Sequence, residues 1–206
     1  MPIFSADDLY HNKPPGKSAI IGPQLLTEHG SLLLIGETES GKSVLAFDIA
    51  FCIALGRPLF GAFRKRHDGT QGKPHFPVYR SARVLYIDTE LGPEGCYERI
   101  QQFYPRYCTG LELGDSLKFV TGEERPLLFH NPPGDSTKPY NNLDALLADQ
   151  KPEVVVFDPL AQFHEVDENT SQMNLVLRRI KTLQARHGFA AILRVPFSII
   201  APLILV

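Results

Sequence analysis

The chain has 206 residues, enough for one domain with room for a long insertion, and its 43% hydrophobic content supports a substantial core. A net charge of −2 excludes a globally basic nucleic-acid binder, so DNA contact would need a local patch or several subunits together. Three cysteines (Cys52, Cys96, Cys108) without a C-x-x-C pair argue against a disulfide framework and a zinc site.

The first residues, Met1 to Asp8, hold neither a basic region nor an apolar stretch, so no export signal is evident and a cytoplasmic location is expected. Residues 1–30 read as an irregular lead-in. Their Gly16-Lys17-Ser18 triplet is a decoy, because His11 stands where a phosphate-binding loop needs its first glycine. Ser31 to Ile35 is an apolar run that predicts a strand. Gly36 to Ser43 then reads G-E-T-E-S-G-K-S and fits G-x-x-x-x-G-K-[ST] at every fixed position. A helical pattern follows from Lys42 to about Gly56-Arg57-Pro58, with Cys52 on its apolar face as a small buried thiol.

Strand, tight loop and helix is the order that phosphate binding requires. Consecutive backbone N–H groups wrap the anion, the helix N-terminus adds positive potential, and a lysine reaches the outer phosphates. The expected nucleotide-binding residues are therefore Gly36, Glu37, Thr38, Glu39, Ser40, Gly41, Lys42, Ser43 and Val44. Lys42 serves catalysis as well, and the Ser43 hydroxyl is expected to ligate Mg²⁺. Glu37 and Glu39 are unusual in an anion cradle and are expected to point outward.

Residues 61–82 read as a long loop, followed by a buried strand from Arg83 to Asp88 and a helix from about Pro93 to Tyr104. Ser116 to Val120 predicts a short strand, and 121–139 an irregular segment. A helix near Tyr140 to Gln150 leads into the apolar run Glu153 to Asp158. Another helix spans roughly Ser171 to His187, with Met173, Val176, Leu177, Ile180 and Leu183 on one face. Gly188 closes it, and Phe189 to Leu193 is one more buried strand. Continuously apolar strands separated by helices predict an α/β fold, a mostly parallel sheet with helices on both faces.

Ligands of open α/β sheets bind beyond the carboxyl ends of the strands, and acids stand at two such ends. Asp158 closes V-V-V-F-D and is expected to hold Mg²⁺ beside Ser43. Glu90, just past V-L-Y-I-D, is the expected residue to orient and deprotonate the attacking water. Asp88 is closer to the strand and could instead help to position magnesium.

Residues 57–83 are the most basic stretch, with Arg64-Lys65-Arg66-His67, Lys73, His75, Arg80 and Arg83 interleaved with Phe63, Phe76 and Tyr79. They read either as a solvated or subunit-contact loop or as a single-stranded DNA contact through phosphates and stacking. The histidines show no metal-binding spacing, and His164 alone is placed near the nucleotide.

Taken together these segments resemble a RecA-type P-loop motor domain, specifically the hexameric-helicase group of plasmid RepA proteins and their AAA-family relatives. The matching pieces are G-E-T-E-S-G-K-S, the A-F-D-I-A-F-C-I-A-L-G-R-P-L-F-G segment, V-L-Y-I-D-T-E, V-V-V-F-D-P-L-A-Q-F-H, and D-E-N-T-S-Q-M from Asp167 to Met173. The resemblance implies a RecA-like ATPase core over 31–193 and a catalytic glutamate at Glu90. It also implies ATP bound between subunits of a homo-oligomeric, hexameric ring that drives single-stranded DNA through its centre.

The group usually continues after the last strand into a polar pair that senses the γ-phosphate, whereas here Arg194 begins a divergent apolar tail, 194–206. The tail holds two prolines and is too short for a membrane span. It predicts a truncation or a change of reading frame near residue 194, with Arg194 as a substitute sensor. Two other functions remain open on the sequence. One is a nucleotide-binding regulator that joins a full-length ring. The other is a small-molecule kinase, against which stands the lone Arg125 where an arginine-rich lid is needed.

Overall fold

The computed structural model describes residues 18–22, 24–37, 39–61, 76–108, 112–121, 143–160 and 170–196, with isolated positions 5, 7 and 110; for 61, 170–175 and 196 it describes the backbone alone. Strand β3 (Ser31–Gly36) enters the phosphate loop, and helix α1 (Lys42–Leu55) leaves it. The loop ends at Gly41, whose φ of 82° is left-handed and favours glycine. Helix α1 stops where Gly56 takes a second left-handed conformation, and the Arg57 N–H donates back to the Cys52 carbonyl. Strand β4 (Val84–Asp88), helix α2 (Gly92–Tyr107) and strand β5 (Leu117–Thr121) follow. Helix α3 (Leu143–Gln150), strand β6 (Val154–Asp158), helix α4 (Thr170–His187) and strand β7 (Ala190–Pro196) complete the described core.

The five strands pair in parallel in the order β3-β7-β6-β4-β5. Parallel strands need crossover helices, and these cover both faces. On one face α1 and α2 pack through Phe47, Phe51 and Phe103 against Tyr86 and Val156; the Phe47 and Tyr86 ring centroids are 4.5 Å apart. On the other, α3 and α4 place Leu147, Val176, Ile180 and Leu183 against Ile87, Val155 and Phe157. The fold is thus the α/β arrangement, a parallel sheet with helices on both faces, that the alternation of strands and helices predicts. All three cysteines are free and buried, Cys52 among them, and burial ahead of the neighbouring Asp48 charge pushes its thiol up to about 12.

Two sequence expectations need correction. The lead-in is not irregular throughout: β1 (Ala19–Ile21) and β2 (Leu26–Thr27) form an antiparallel pair, and Ile20, Ile21 and Leu26 are buried in the first core. The last strand does not stop at Leu193. It runs to Pro196, with Arg194 opposite Leu34 and Val195 opposite Ile35. The expectations for 62–75, 122–142, 161–169 and the tail from 197 onward lie outside the described residues, as does Thr38. Among the described residues no helix is long and apolar enough to cross a membrane.

The second layer is tied by Asp144 at the start of α3, which accepts from Arg186 and His187 in the last turn of α4. The His187 hydrogen bond, against the opposing effect of burial and helped by Arg186, holds the Asp144 carboxyl below its ordinary value. A depressed acid contributes stability that is present above its unfolded pKa of about 4 and lost as pH falls through the folded value. Asp144→Asn should therefore lower the melting temperature at pH 7 by the equivalent of about 1 kcal/mol, discounted for the half-exposed Arg186. The gap from wild type should close as pH falls through the depressed folded value. A gap independent of pH in thermal melts would show that the pair acts through packing alone.

Candidate functional site

The carboxyl ends of β3, β7, β6 and β4 lie side by side, which brings the chemistry-bearing residues to one edge of the sheet. At the phosphate loop, Glu37, Glu39, Ser40 and Gly41 are exposed, so both glutamates point outward as expected. Helix α1 has no side-chain cap and no acid in its first turn. Its leading N–H groups therefore retain positive potential for an anion. A Cβ on Gly36 would come within 2.8 Å of the Ser40 Oγ, so the loop closes tightly at its entrance.

Lys42 is buried, and its ammonium is folded onto the loop itself. It donates to the Gly36 carbonyl at 2.8 Å, to the Glu37 carbonyl, and to Ser40 Oγ at 3.3 Å. Burial, followed by repulsion from Arg194, lowers the Lys42 pKa against the pull of Asp158, Glu90 and Glu37. An ammonium held by neutral carbonyls, with its charge disfavoured, is suited to exchange those oxygens for phosphate oxygens.

The Ser43 Oγ donates to Asp158 Oδ1 at 3.3 Å, joining the two residues expected to serve the metal. Asp158 is 2% exposed, and burial pushes its carboxyl up against the Tyr86 hydrogen bond and the Arg194 charge. Tyr86 donates its hydroxyl to the other oxygen, Oδ2, from the neighbouring strand. Burial and the Asp158 charge raise Tyr86 well above the ordinary tyrosine value, so it remains a donor. The hydroxyl and carboxylate of Ser43 and Asp158 are the hard oxygen donors that Mg²⁺ prefers, and together with the uncapped loop they fit a magnesium nucleotide.

Asp88 stands opposite Asp158 in register and is equally buried. Its Oδ1 accepts from the Glu90 N–H at 2.9 Å and the Leu91 N–H at 2.8 Å. Those bonds make Asp88 the anchor of the turn that carries Glu90. Glu90 itself is half-exposed at the mouth of the site, where Arg194 donates to its Oε2. Arg194 also lies against Asp158 Oδ1.

The sequence reading does not single out Tyr86, and it gives Arg194 only a sensor role and not its pairing with Glu90 and Asp158. Tyr86 was legible in principle, as the one polar-tipped side chain within an otherwise apolar V-L-Y-I run. Arg194 was read as the start of a tail because the flanking residues look like a break, and its contact with Glu90 spans 104 positions. His164 lies outside the described residues.

The basic stretch divides. Arg80 donates to Glu153 at 2.6 Å and to Glu28 at 3.0 Å, and Arg83 donates to the Lys151 carbonyl. These two residues tie β6, the β2 turn and the start of β4 together. The Arg64 to His67 cluster, Lys73 and His75 lie outside the described residues.

A family profile described as an AAA domain matches residues 2–195. No curated protein matches the chain. Among solved structures, a KaiC-like protein from the hyperthermophilic archaeon Pyrococcus horikoshii OT3 is similar at 18% identity and a TM-score of 0.48, covering 87% of this chain and 70% of that one. The flagellar accessory protein FlaH from Methanocaldococcus jannaschii is similar at 16% identity and a TM-score of 0.43, covering 86% and 66%. The RadB recombinase is similar at 14% identity and a TM-score of 0.42, covering 83% and 63%. With the family profile extending from residue 2 to residue 195, over a parallel sheet that carries a complete phosphate-loop motif, the chain belongs to the AAA domain family.

Proposed function

We propose that the chain binds ATP with Mg²⁺ at the loop from Gly36 to Val44 and hydrolyses it, as the motor domain of a RepA-type helicase or a related DNA-replication or recombination ATPase. The observation that carries this reading is the convergence of Lys42, Ser43, Asp158 and Glu90 at the carboxyl edge of one parallel sheet. The loop N–H groups and Lys42 bind and orient the phosphates. Ser43 and Asp158 would hold Mg²⁺, which draws charge from the phosphate oxygens when bound. Tyr86 fixes the Asp158 carboxylate by occupying Oδ2, which leaves Oδ1 facing Ser43. Glu90, held at the turn by Asp88, takes the proton of the attacking water. The DNA-directed role and the homo-oligomeric ring rest on the resemblance to RepA-type motors.

A second reading, a nucleotide-binding partner with little turnover, is favoured by the Arg194 contacts to Glu90 and Asp158, since one guanidinium engages both acids. Steady-state ATP turnover with and without single-stranded DNA separates the two. The motor reading expects turnover that DNA stimulates several-fold. Saturable binding with turnover at the uncatalysed background would favour the regulator, and phosphate transfer to a metabolite would replace both with a kinase.

A further inference from the structure

We propose that Arg194 is a resident counter-cation that holds the metal's place, so that its guanidinium and Mg²⁺ compete for Asp158 and nucleotide entry exchanges one for the other. The proposal rests on the nucleotide reading above and adds a positioning residue to it. Strand β7 lies between β3, which carries the phosphate loop, and β6, which carries Asp158. A side chain leaving the end of β7 on this edge therefore stands between phosphate anchor and metal ligand. Arg194 is that side chain. It is only 13% exposed, its Nε lies against Asp158 Oδ1, and its Nη2 donates to Glu90 Oε2. The same Asp158 oxygen accepts from Ser43, so the arginine sits where the two expected metal ligands meet.

Charge explains why such a group is present. Asp88 and Asp158 are both 2% exposed on adjacent strands, and Glu90 is close by. Of the other cations, Lys42 is held by the Gly36 and Glu37 carbonyls, and Arg99 lies over the Phe47 ring. A buried carboxylate without a counter-charge is costly, so Asp158 calls for a cationic partner, and Arg194 is the one that touches it. The Arg194–Asp158 contact is an ion pair on the oxygen that also accepts from Ser43, so a divalent ion and the guanidinium compete for one atom. Two cations on one oxygen repel, and Arg194 already lowers the Lys42 pKa at longer range. Metal entry therefore expels the guanidinium from Asp158. Displacing the guanidinium from Asp158 also moves the Nη2 that donates to Glu90, so metal occupancy and release of the catalytic glutamate become a single event.

The test measures metal alone, without nucleotide, on the full chain. Free Mn²⁺ is followed by electron paramagnetic resonance in wild type, R194Q and R194M. Removal of the guanidinium should tighten Mn²⁺ binding by roughly tenfold or more, and D158N on the R194Q background should abolish the gain. Affinities within about twofold of wild type in both variants, or a gain that survives D158N, would overturn the proposal. R194M keeps the aliphatic stem if R194Q does not fold, and the unmodified chain gives an independent readout. Its melting temperature should respond less to millimolar Mn²⁺ without nucleotide than that of R194Q, because Arg194 competes for the site; an equal or larger rise in wild type would also overturn the proposal. A wild-type chain that binds no ATP defeats the nucleotide reading as a whole. One that binds ATP while the variants gain no metal affinity defeats this inference alone.

Discussion

Lys42→Ala is expected to abolish saturable ATP binding, weakening it by about 10²–10⁴-fold. Two lost charge-assisted hydrogen bonds to phosphate, each worth about 1.5–3 kcal/mol, account for that range. Titration of a fluorescent ATP analogue against wild type and variant would measure it. The same substitution should leave the nucleotide-free fold intact, and the sign of the Lys42 shift says why. Burial, with Arg194, lowers the lysine pKa in the folded protein. The protonated ammonium therefore opposes folding at neutral pH, and this cost fades only as pH rises through the lowered folded value. Removing the charge relieves that cost, while the carbonyls of Gly36 and Glu37 lie at a partly open loop where water can replace the ammonium. The melting temperature at pH 7 should thus stay level or rise. Wild-type ATP affinity in the variant would remove the phosphate loop from the mechanism, and with it the central argument for an ATPase.

The legibility of this site differed from residue to residue for identifiable reasons. The phosphate loop could be read because its geometry imposes fixed spacing: a tight entrance at Gly36, a left-handed residue at Gly41 and a lysine one position later. The central strands could be read because burial on both faces leaves unbroken runs such as Val84 to Ile87 and Val154 to Phe157. The β1–β2 pair could not, since strands of three and two residues carry no period and owe their place to packing of Ile20, Ile21 and Leu26. Nor could the extension of β7, because a charged residue and a proline read as a break in an apolar run. What keeps Arg194 in the strand is its ladder to β3 and its pairing with Glu90 and Asp158, all contacts made across the sheet. The roles of Arg80 and Arg83 were hidden for a similar reason. Composition showed a basic stretch, but their carboxylate and carbonyl partners lie far along the chain at Glu28, Glu153 and Lys151.

Glu90→Gln is expected to lower turnover by about 10²–10⁴-fold, the range for loss of a general base, while ATP affinity stays within about threefold of wild type. The geometry supports this separation. Glu90 is half-exposed at the mouth of the site and makes no contact with the loop oxygens that Lys42 engages. Its ion pair with Arg194 is partly solvated, so replacing it should cost no more than about 1 kcal/mol of stability. Glutamine can still accept from the guanidinium, which keeps the side chain near its place but removes its ability to take a proton. Asp88 is the alternative base, and its hydrogen bonds argue against it. Its Oδ1 is occupied by the Glu90 and Leu91 N–H groups, and the residue is buried on the strand. Asp88→Asn keeps an oxygen that can accept both N–H groups, so its loss of rate should stay well below that of Glu90→Gln. Single-turnover hydrolysis with both variants distinguishes the two acids: normal chemistry in Glu90→Gln with a dead Asp88→Asn would transfer the role to Asp88, whereas the reverse order is what the turn's hydrogen bonding requires.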